Sequence, residues 1–502
     1  MASGRAVLHR CSTFLRRGLA TATAATIVSR ESVECTGGED QDPRLLKVAV
    51  VFRHGARTPV FTHLPGLDDL EWNVCSPAKQ SSLPTVEVFD HASLAKNGPR
   101  PPLSSGVKKQ VNHTLPGGSY AGQLSDLGID QTEALGKMLR EEYGRYLSPD
   151  ATNGFLSVRS TNVPRCIASA QGVLMGLYPG HDSRQSPFRI TTMNSQDEYL
   201  TPNTRKCQRM AELWNGARAK WSKDVESGEV PDALAIIEDL KTAMGGSERA
   251  AKLLEKFECP PNYIPIRDMV VAIDAHKLAG PGWMYTHDFL QRLDRLGARQ
   301  IGALMAGPGG WQYELETNRL AMGQFMGEIL KGMETTVEAR EDLKGYKNAA
   351  SSAVEPPAYA SIDLFSAHDT TLVPMLTALG SWDGDWPTYA SYLAFELWSG
   401  GWSSSGKSEP RVRVIYNGKP VDIRSGVGGV GGAGSKGSIE GSRGIWEVEG
   451  VTLSEYKKAM ELLIPNDLAS ECLPRYGYTP GENWTWVEKK KKQEEESGND
   501  KF

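Results

Sequence analysis

Two short apolar runs, far apart in the chain, each end in an imidazole. Leu45–Phe52 reads LLKVAVVF and passes into Arg53-His54-Gly55, and Ile362–Ala367 passes into His368-Asp369. A continuous run rich in β-branched residues suits a strand covered on both faces, the habit of parallel sheets. Phe155–Arg159 is a third short run and ends in an arginine. Helical periodicity separates these runs. One helix starts near Ser125, with Leu135, Met138, Leu139 and Tyr143 on one face, and Pro164–Leu177 reads as another with proline in its first turn. Strands alternating with helices predict an α/β fold, a mostly parallel sheet with helices on both faces. Ligands of such sheets collect outside the carboxyl ends of the strands. Arg53, His54, Arg57, Arg159, His368 and Asp369 are therefore expected in one crevice.

The rest of the chain divides around this core. Residues 58–121 are rich in Pro, Ser and Gly and read as a long loop over the site. Helical stretches at Asp232–Ala243, Arg249–Phe257, His287–Leu304 and Glu316–Met333 predict a helical insert, or cap, over 185–345 between a first core part (41–184) and a second (346–475). Tyr392–Trp398 and Arg411–Tyr416 alternate and read as late strands, and Val451–Leu463 as a last helix. The Gly/Ser-rich stretch 399–444 reads as a flexible loop and 476–502 as a charged tail. Residues 1–40 form a leader. Its arginines (Arg5, Arg10, Arg16, Arg17, Arg30) precede any acidic residue, which is the composition of a mitochondrial transit peptide. A secretory signal is the alternative: Ala20–Val28 is apolar but diluted by threonines, and Asn112-His-Thr and Asn483-Trp-Thr are sequons.

Net charge is −5 over 502 residues, which gives no reason to expect nucleic acid as a partner. No run reaches the roughly 18 apolar residues of a membrane span. The seven cysteines are dispersed without a CxxC pair, so no zinc site is expected, and they read mostly as reduced core thiols with room for one or two disulfides.

Chemistry follows from the clustered residue types. Three arginines in one pocket require a strong anion, and their planar forks match phosphate oxygens. A neutral imidazole can attack phosphorus and carry the group covalently, and a carboxylic acid can protonate the leaving alkoxide. Fixed cations stabilise the phosphoryl group in transfer, so neither metal nor cofactor is expected.

Arg53-His54-Gly55-Ala56-Arg57-Thr58-Pro59 resembles the RHGxRxP signature of the histidine acid phosphatases, in the phosphoglycerate-mutase-like superfamily. Further segments resemble that family in the same order: GQLS to Tyr143, VRSTNVPRCIASAQGVLMGLYP, SAHDTTLVPMLTALG, WPTYASYLAFELW and VRVIYNGKPV. The resemblance runs over roughly 45–475 and is weakest in the insert. It implies His54 as nucleophile, Asp369 as proton donor, and Arg53, Arg57, Arg159 and His368 as phosphate ligands. Asn162 and Pro164 depart from the family's usual acidic residues there. Within the family, the leader, MVVAIDAHKLAGPGW and LAMGQFMGEILKGM resemble the lysophosphatidic acid phosphatases, so a phosphomonoester, a lysophospholipid in particular, is the implied substrate. A phytase-like inositol phosphate hydrolase, a mutase and a non-catalytic pseudophosphatase that binds a phosphorylated ligand are the alternatives. His368-Asp369, in place of the HAE of the related inositol-phosphate branch, argues against that branch.

Overall fold

A computed structural model describes residues 43–61, 70–243, 262–280, 288–309, 311–349, 359–399, 409–421, 423 and 450–475. The leader, the tail, Arg249–Phe257 and most of 399–444 lie outside the described residues. Strands β1 (Leu45–Arg53), β2 (Val86–Asp90), β3 (Leu156–Ser160), β4 (Phe188–Thr192), β5 (Ser361–Ala367), β6 (Tyr392–Trp398), β7 (Arg411–Tyr416), β8 (Lys419–Pro420) and β9 (Val451–Thr452) form one sheet. Its order is β2-β4-β3-β5-β1-β6-β7-β8, with β9 on β7. The pairings from β2 to β1 are parallel, and those beyond β1 antiparallel, so the sheet is mixed.

β1 sits between β5 and β6, and all nine of its residues are buried, as its unbroken apolar run demands. Strand alternation then sends its side chains to two cores. Val48, Val50 and Phe52 join Ile362 and Leu364 under Leu135, Leu139 and Val173 of the helices Asp126–Tyr143 and Pro164–Leu177. Ala49 and Val51 join Phe365 and Phe395 under Phe325 and Ile329 of the long helix Trp311–Ala349. Helices on both faces of an α/β sheet are thus observed.

The helices Gln208–Glu226, Ala233–Ala243, Tyr263–Ala275 and Phe289–Ala306 share a separate apolar cluster, built on Trp221, Ile236, Ile266 and Leu293. Two sequence readings need correction. β4 falls within 185–345 yet pairs with β2 and β3, so the start of that stretch belongs to the sheet. The loop read over 58–121 contains β2 and the short helices Pro77–Ser81 and Ser105–Val111, because Val86–Phe89 has a parallel partner in β4 that no local pattern reveals. Cys207 and Cys472 are joined in a disulfide, while Cys75 and Cys166 are free. Among the described residues, no helix is long and apolar enough to cross a membrane.

Candidate active site

The loop after β1 carries most of the polar signature and is fixed from two sides. Gly55 N–H donates to Ser169 Oγ at 3.1 Å, and Ala56 N–H to Gln131 Oε1 at 2.8 Å. Ser125, the N-cap of the helix Asp126–Tyr143, donates from both its N–H and its Oγ to Ala56 O. Loop and helix meet backbone to backbone. A Cβ on Gly55 would lie 2.3 Å from Gly128 O, and one on Gly128 would lie 2.1 Å from Ala56 O. Glycine at both positions is a packing requirement.

This anchoring holds His54, which is 1 % exposed. Its Nδ1 lies 2.9 Å from Gly55 O. A carbonyl only accepts, so Nδ1 carries the proton of the neutral ring and Nε2 keeps its lone pair. Burial, then the charges of Arg165, Arg57, Arg53 and His368, hold the His54 pKa well below its usual value. A nucleophilic imidazole is therefore available in mildly acidic solution. His368 stands at a right-angled tilt to it, ring centroids 5.6 Å apart. Its Nε2 meets Thr161 Oγ1 at 3.0 Å, and burial and Arg165 also lower its pKa.

Asp369 opens the helix Asp369–Ala378 directly after β5. Arg53 Nη2 lies 2.7 Å from its Oδ2, Trp386 Nε1–H donates to the same oxygen at 3.0 Å, and Thr370 N–H donates to Oδ1 at 2.8 Å. Burial would raise the Asp369 pKa, but the guanidiniums of Arg53, Arg57 and Arg267, with His368, hold it well below the carboxylate range. Arg53 donates its other fork nitrogen to Pro387 O at 2.6 Å and stacks on Tyr389, 4.3 Å from the ring centroid. Arg57 is clamped by Asp268, at 2.5 Å and 3.3 Å.

Arg159 departs from the expected arrangement. It is 2 % exposed and bridges Glu198 at 2.9 Å and Glu328 at 3.0 Å, with its guanidinium over Tyr199. In the parallel register Arg159 pairs with Phe365, so its side chain shares the sheet face that receives the helix Trp311–Ala349, where Glu328 waits. Its charge is already answered, and the largest charges acting on His54 and His368 come from other residues. Arg165 is the cation that acts there. It leads the charges lowering both histidines, it has no carboxylate partner among the described residues, and its buried Nε finds no acceptor. Burial and the like charge of Arg57 destabilise its cation. A sequence signal existed: a cation in the first turn of the helix Pro164–Leu177, with no acid beside it, opposes the helix dipole unless an anion compensates. Asp268 and Trp386 come from the helical stretch and from a loop, and carry no local signal. Among the described residues, no three His, Cys, Asp or Glu side chains are grouped as metal ligands.

Known proteins are similar to this chain over most of its length. The family model of the histidine phosphatase superfamily (branch 2) matches residues 44–252 and 282–417. The chain is 30% identical to lysophosphatidic acid phosphatase type 6 of Pongo abelii over 398 residues, covering 78% of this chain and 82% of that one. It is 29% identical to testicular acid phosphatase of Mus musculus over 326 residues, covering 63% and 69%. The phytase of Hafnia alvei shares the fold at a TM-score of 0.52 and 12% identity, over 88% of this chain and 100% of that one. A signature loop pinned beneath a neutral histidine, arginines around it, an acid at the head of the next helix and a family model spanning both halves of the sheet agree: the chain belongs to branch 2 of the histidine phosphatase superfamily, among its acid phosphatases.

Proposed function

We propose that this chain hydrolyses phosphate monoesters through a phosphohistidine on His54. Nε2 of His54 attacks phosphorus, the P–O ester bond breaks, and Asp369 gives its proton to the departing alkoxide. The Asp369 carboxylate then takes a proton from water as that water's oxygen attacks phosphorus and the P–N bond breaks. Phosphate and neutral His54 result, with Asp369 protonated again. Arg53, Arg57 and Arg165, with His368, clamp the equatorial oxygens. The Arg159 role suggested by the resemblance passes to Arg165, because Glu198 and Glu328 hold Arg159 away.

The observation that carries this reading is the fixed tautomer of His54, with its Nδ1 proton committed to Gly55 O and guanidiniums around the ring. Asp369 is ionised beside Arg53, so it gains its proton only when a bound phosphate dianion draws the arginines' charge. An acidic optimum follows. Asp369→Asn tests the scheme: kcat/KM should fall far more for an alkyl phosphate than for p-nitrophenyl phosphate, whose phenolate leaves unaided. Equal losses would refute the acid role.

A lysophospholipid such as lysophosphatidic acid is our proposed substrate, supported by relatives that carry that name at about 30% identity. Rates on lysophosphatidic acid, p-nitrophenyl phosphate and phytate test it, and a preference for phytate would overturn it. We propose that residues 1–40 direct mitochondrial import; the Cys207–Cys472 disulfide adds the condition of an oxidising compartment. A fusion of 1–40 to a fluorescent protein that enters the secretory pathway, with glycan on the exposed Asn112 of the full chain, would reverse this assignment.

A further inference from the structure

Asp369 has a second donor besides the arginines around it. Trp386 is 6 % exposed and packs among Ala298, Ile301, Met305 and Val373. Its indole N–H reaches Asp369 Oδ2 at 3.0 Å. Over its ring, 4.1 Å from the centroid, lies the Arg267 guanidinium, on the helix Tyr263–Ala275. Arg267 is itself 6 % exposed, and its Nε donates to Asp294 Oδ1 at 2.7 Å on the next helix, Phe289–Ala306. Gly297 of that helix leaves the room: a Cβ there would lie 2.7 Å from Arg267 Cδ. The helical stretch thus reaches the acid through a continuous relay, Asp294 to Arg267 to Trp386 to Asp369.

We propose that Trp386 is the positioning residue for Asp369, held in plane by Arg267, and that it keeps the carboxyl aimed at the leaving oxygen while Arg53 turns to the phosphoryl group. The inference rests on the acid role of Asp369 given above. Oδ2 has two donors, Arg53 Nη2 and Trp386 Nε1. Arg53 belongs to the clamp and must share its fork with phosphate oxygens. Among the described residues Trp386 Nε1 has no other acceptor, so its bond survives substrate binding. Stacking over a desolvated ring restrains the indole, and the positive charge of Arg267 keeps the Asp369 proton easy to release. The titratable and charged groups acting on Asp369 from the surrounding elements are Arg53 at the end of β1, Arg57 on the loop after it, Arg165 and Cys166 on the helix Pro164–Leu177, Arg267 and Asp268 on the helix Tyr263–Ala275, and His368 beside it.

The test is Trp386→Phe, which keeps a ring under Arg267 and removes only the donor. A hydrogen bond to a charged group corresponds to roughly one pH unit of carboxyl titration. Losing it destabilises the carboxylate, so the alkaline limb of kcat for an alkyl phosphate should move up by about one unit. At the acid plateau kcat for that substrate should fall about tenfold with KM unchanged, while p-nitrophenyl phosphate turnover stays within about threefold. Inhibition by inorganic phosphate reports whether fold and clamp are intact. Arg267→Gln should move the same limb in the same direction, and it serves if Trp386→Phe does not fold. An unmoved limb, or equal losses on both substrates, in a variant that still binds inorganic phosphate would overturn the inference. Asp369→Asn separates the two readings. If that variant loses both substrates equally, the acid role itself fails; if it spares p-nitrophenyl phosphate while the Trp386 limb stays put, only the relay fails.

Discussion

Replacing Arg165 by methionine should make the protein more stable and nearly inactive, and the same change at Arg159 should do the reverse. Arg165 brings a cation beside Arg57 with no carboxylate of its own among the described residues, and burial and Arg57 act against its charged form. Removing that cation relieves the fold, by about 1 kcal/mol, the scale of an ordinary single substitution. The same guanidinium faces the charge that develops on a transferring phosphoryl group. Loss of one such preorganised donor lowers kcat by about 10²–10³-fold. Arg159→Met instead strands Glu198, whose side chain is 6% exposed, without its charge partner. Breaking a buried pair from one side costs about 3–5 kcal/mol. Glu328 is more open, at 32%, and adds little. The assay pairs denaturant melts of both variants in phosphate-free buffer with kcat/KM. Adding inorganic phosphate supplies the internal control. It should stabilise the wild type and Arg159→Met by mass action, about 2.7 kcal/mol at a hundredfold excess over Kd, and leave Arg165→Met almost unmoved. If Arg165→Met proves destabilised and still responds to phosphate, while Arg159→Met folds normally without activity, the phosphate ligand is Arg159 and the argument from unmatched charge is wrong.

Further tests address other parts of the site. His54→Ala should abolish turnover with the melt preserved, and the intermediate trapped from the wild type should survive alkali and decay in acid; an acid-stable adduct would remove His54 as nucleophile. His54 and His368 have pKa values lowered below 6.5, so their neutral forms stabilise the fold fully above that pH and progressively less below it. Asp369, whose pKa is depressed, adds stability that is full above the unfolded carboxyl range and is lost as pH falls from that range through its lowered folded value. Stability of the phosphate-free protein should therefore decline from about pH 6.5 downward, and a melting profile flat from pH 7 to 4 would contradict the burial of both rings. Gly128→Ala places a methyl 2.1 Å from Ala56 O and must push the helix off the nucleophile loop. A loss of about 2–3 kcal/mol with a parallel fall in kcat is expected, and unchanged activity would mean the loop is not held by that contact.

The chain's local order was readable before any tertiary information. The run Leu45–Phe52, the helix Pro164–Leu177 with proline in its first turn, and the imidazoles after β1 and β5 depend on neighbours within a few residues, where periodicity and capping act. The signature at Arg53–Pro59 and the pair His368-Asp369 placed the proposed nucleophile and acid for the same reason, since each sits where its own strand ends. Selection among the arginines was not local. Arg159 and Arg165 lie within one short segment, and which of them is answered by carboxylates depends on strand register: pairing with Phe365 turns Arg159 toward Glu328 on a helix much later in the chain. Asp268, which clamps Arg57, and Trp386, which holds Asp369, reach the site only because helix packing brings distant segments to the carboxyl edge of the sheet. The parallel partner of β2 and the bond between Cys207 and Cys472 are likewise products of that packing. Short-range sterics and hydrogen bonding shape each element from its own residues, whereas the balance of buried charge is settled between elements and exists only once they have met.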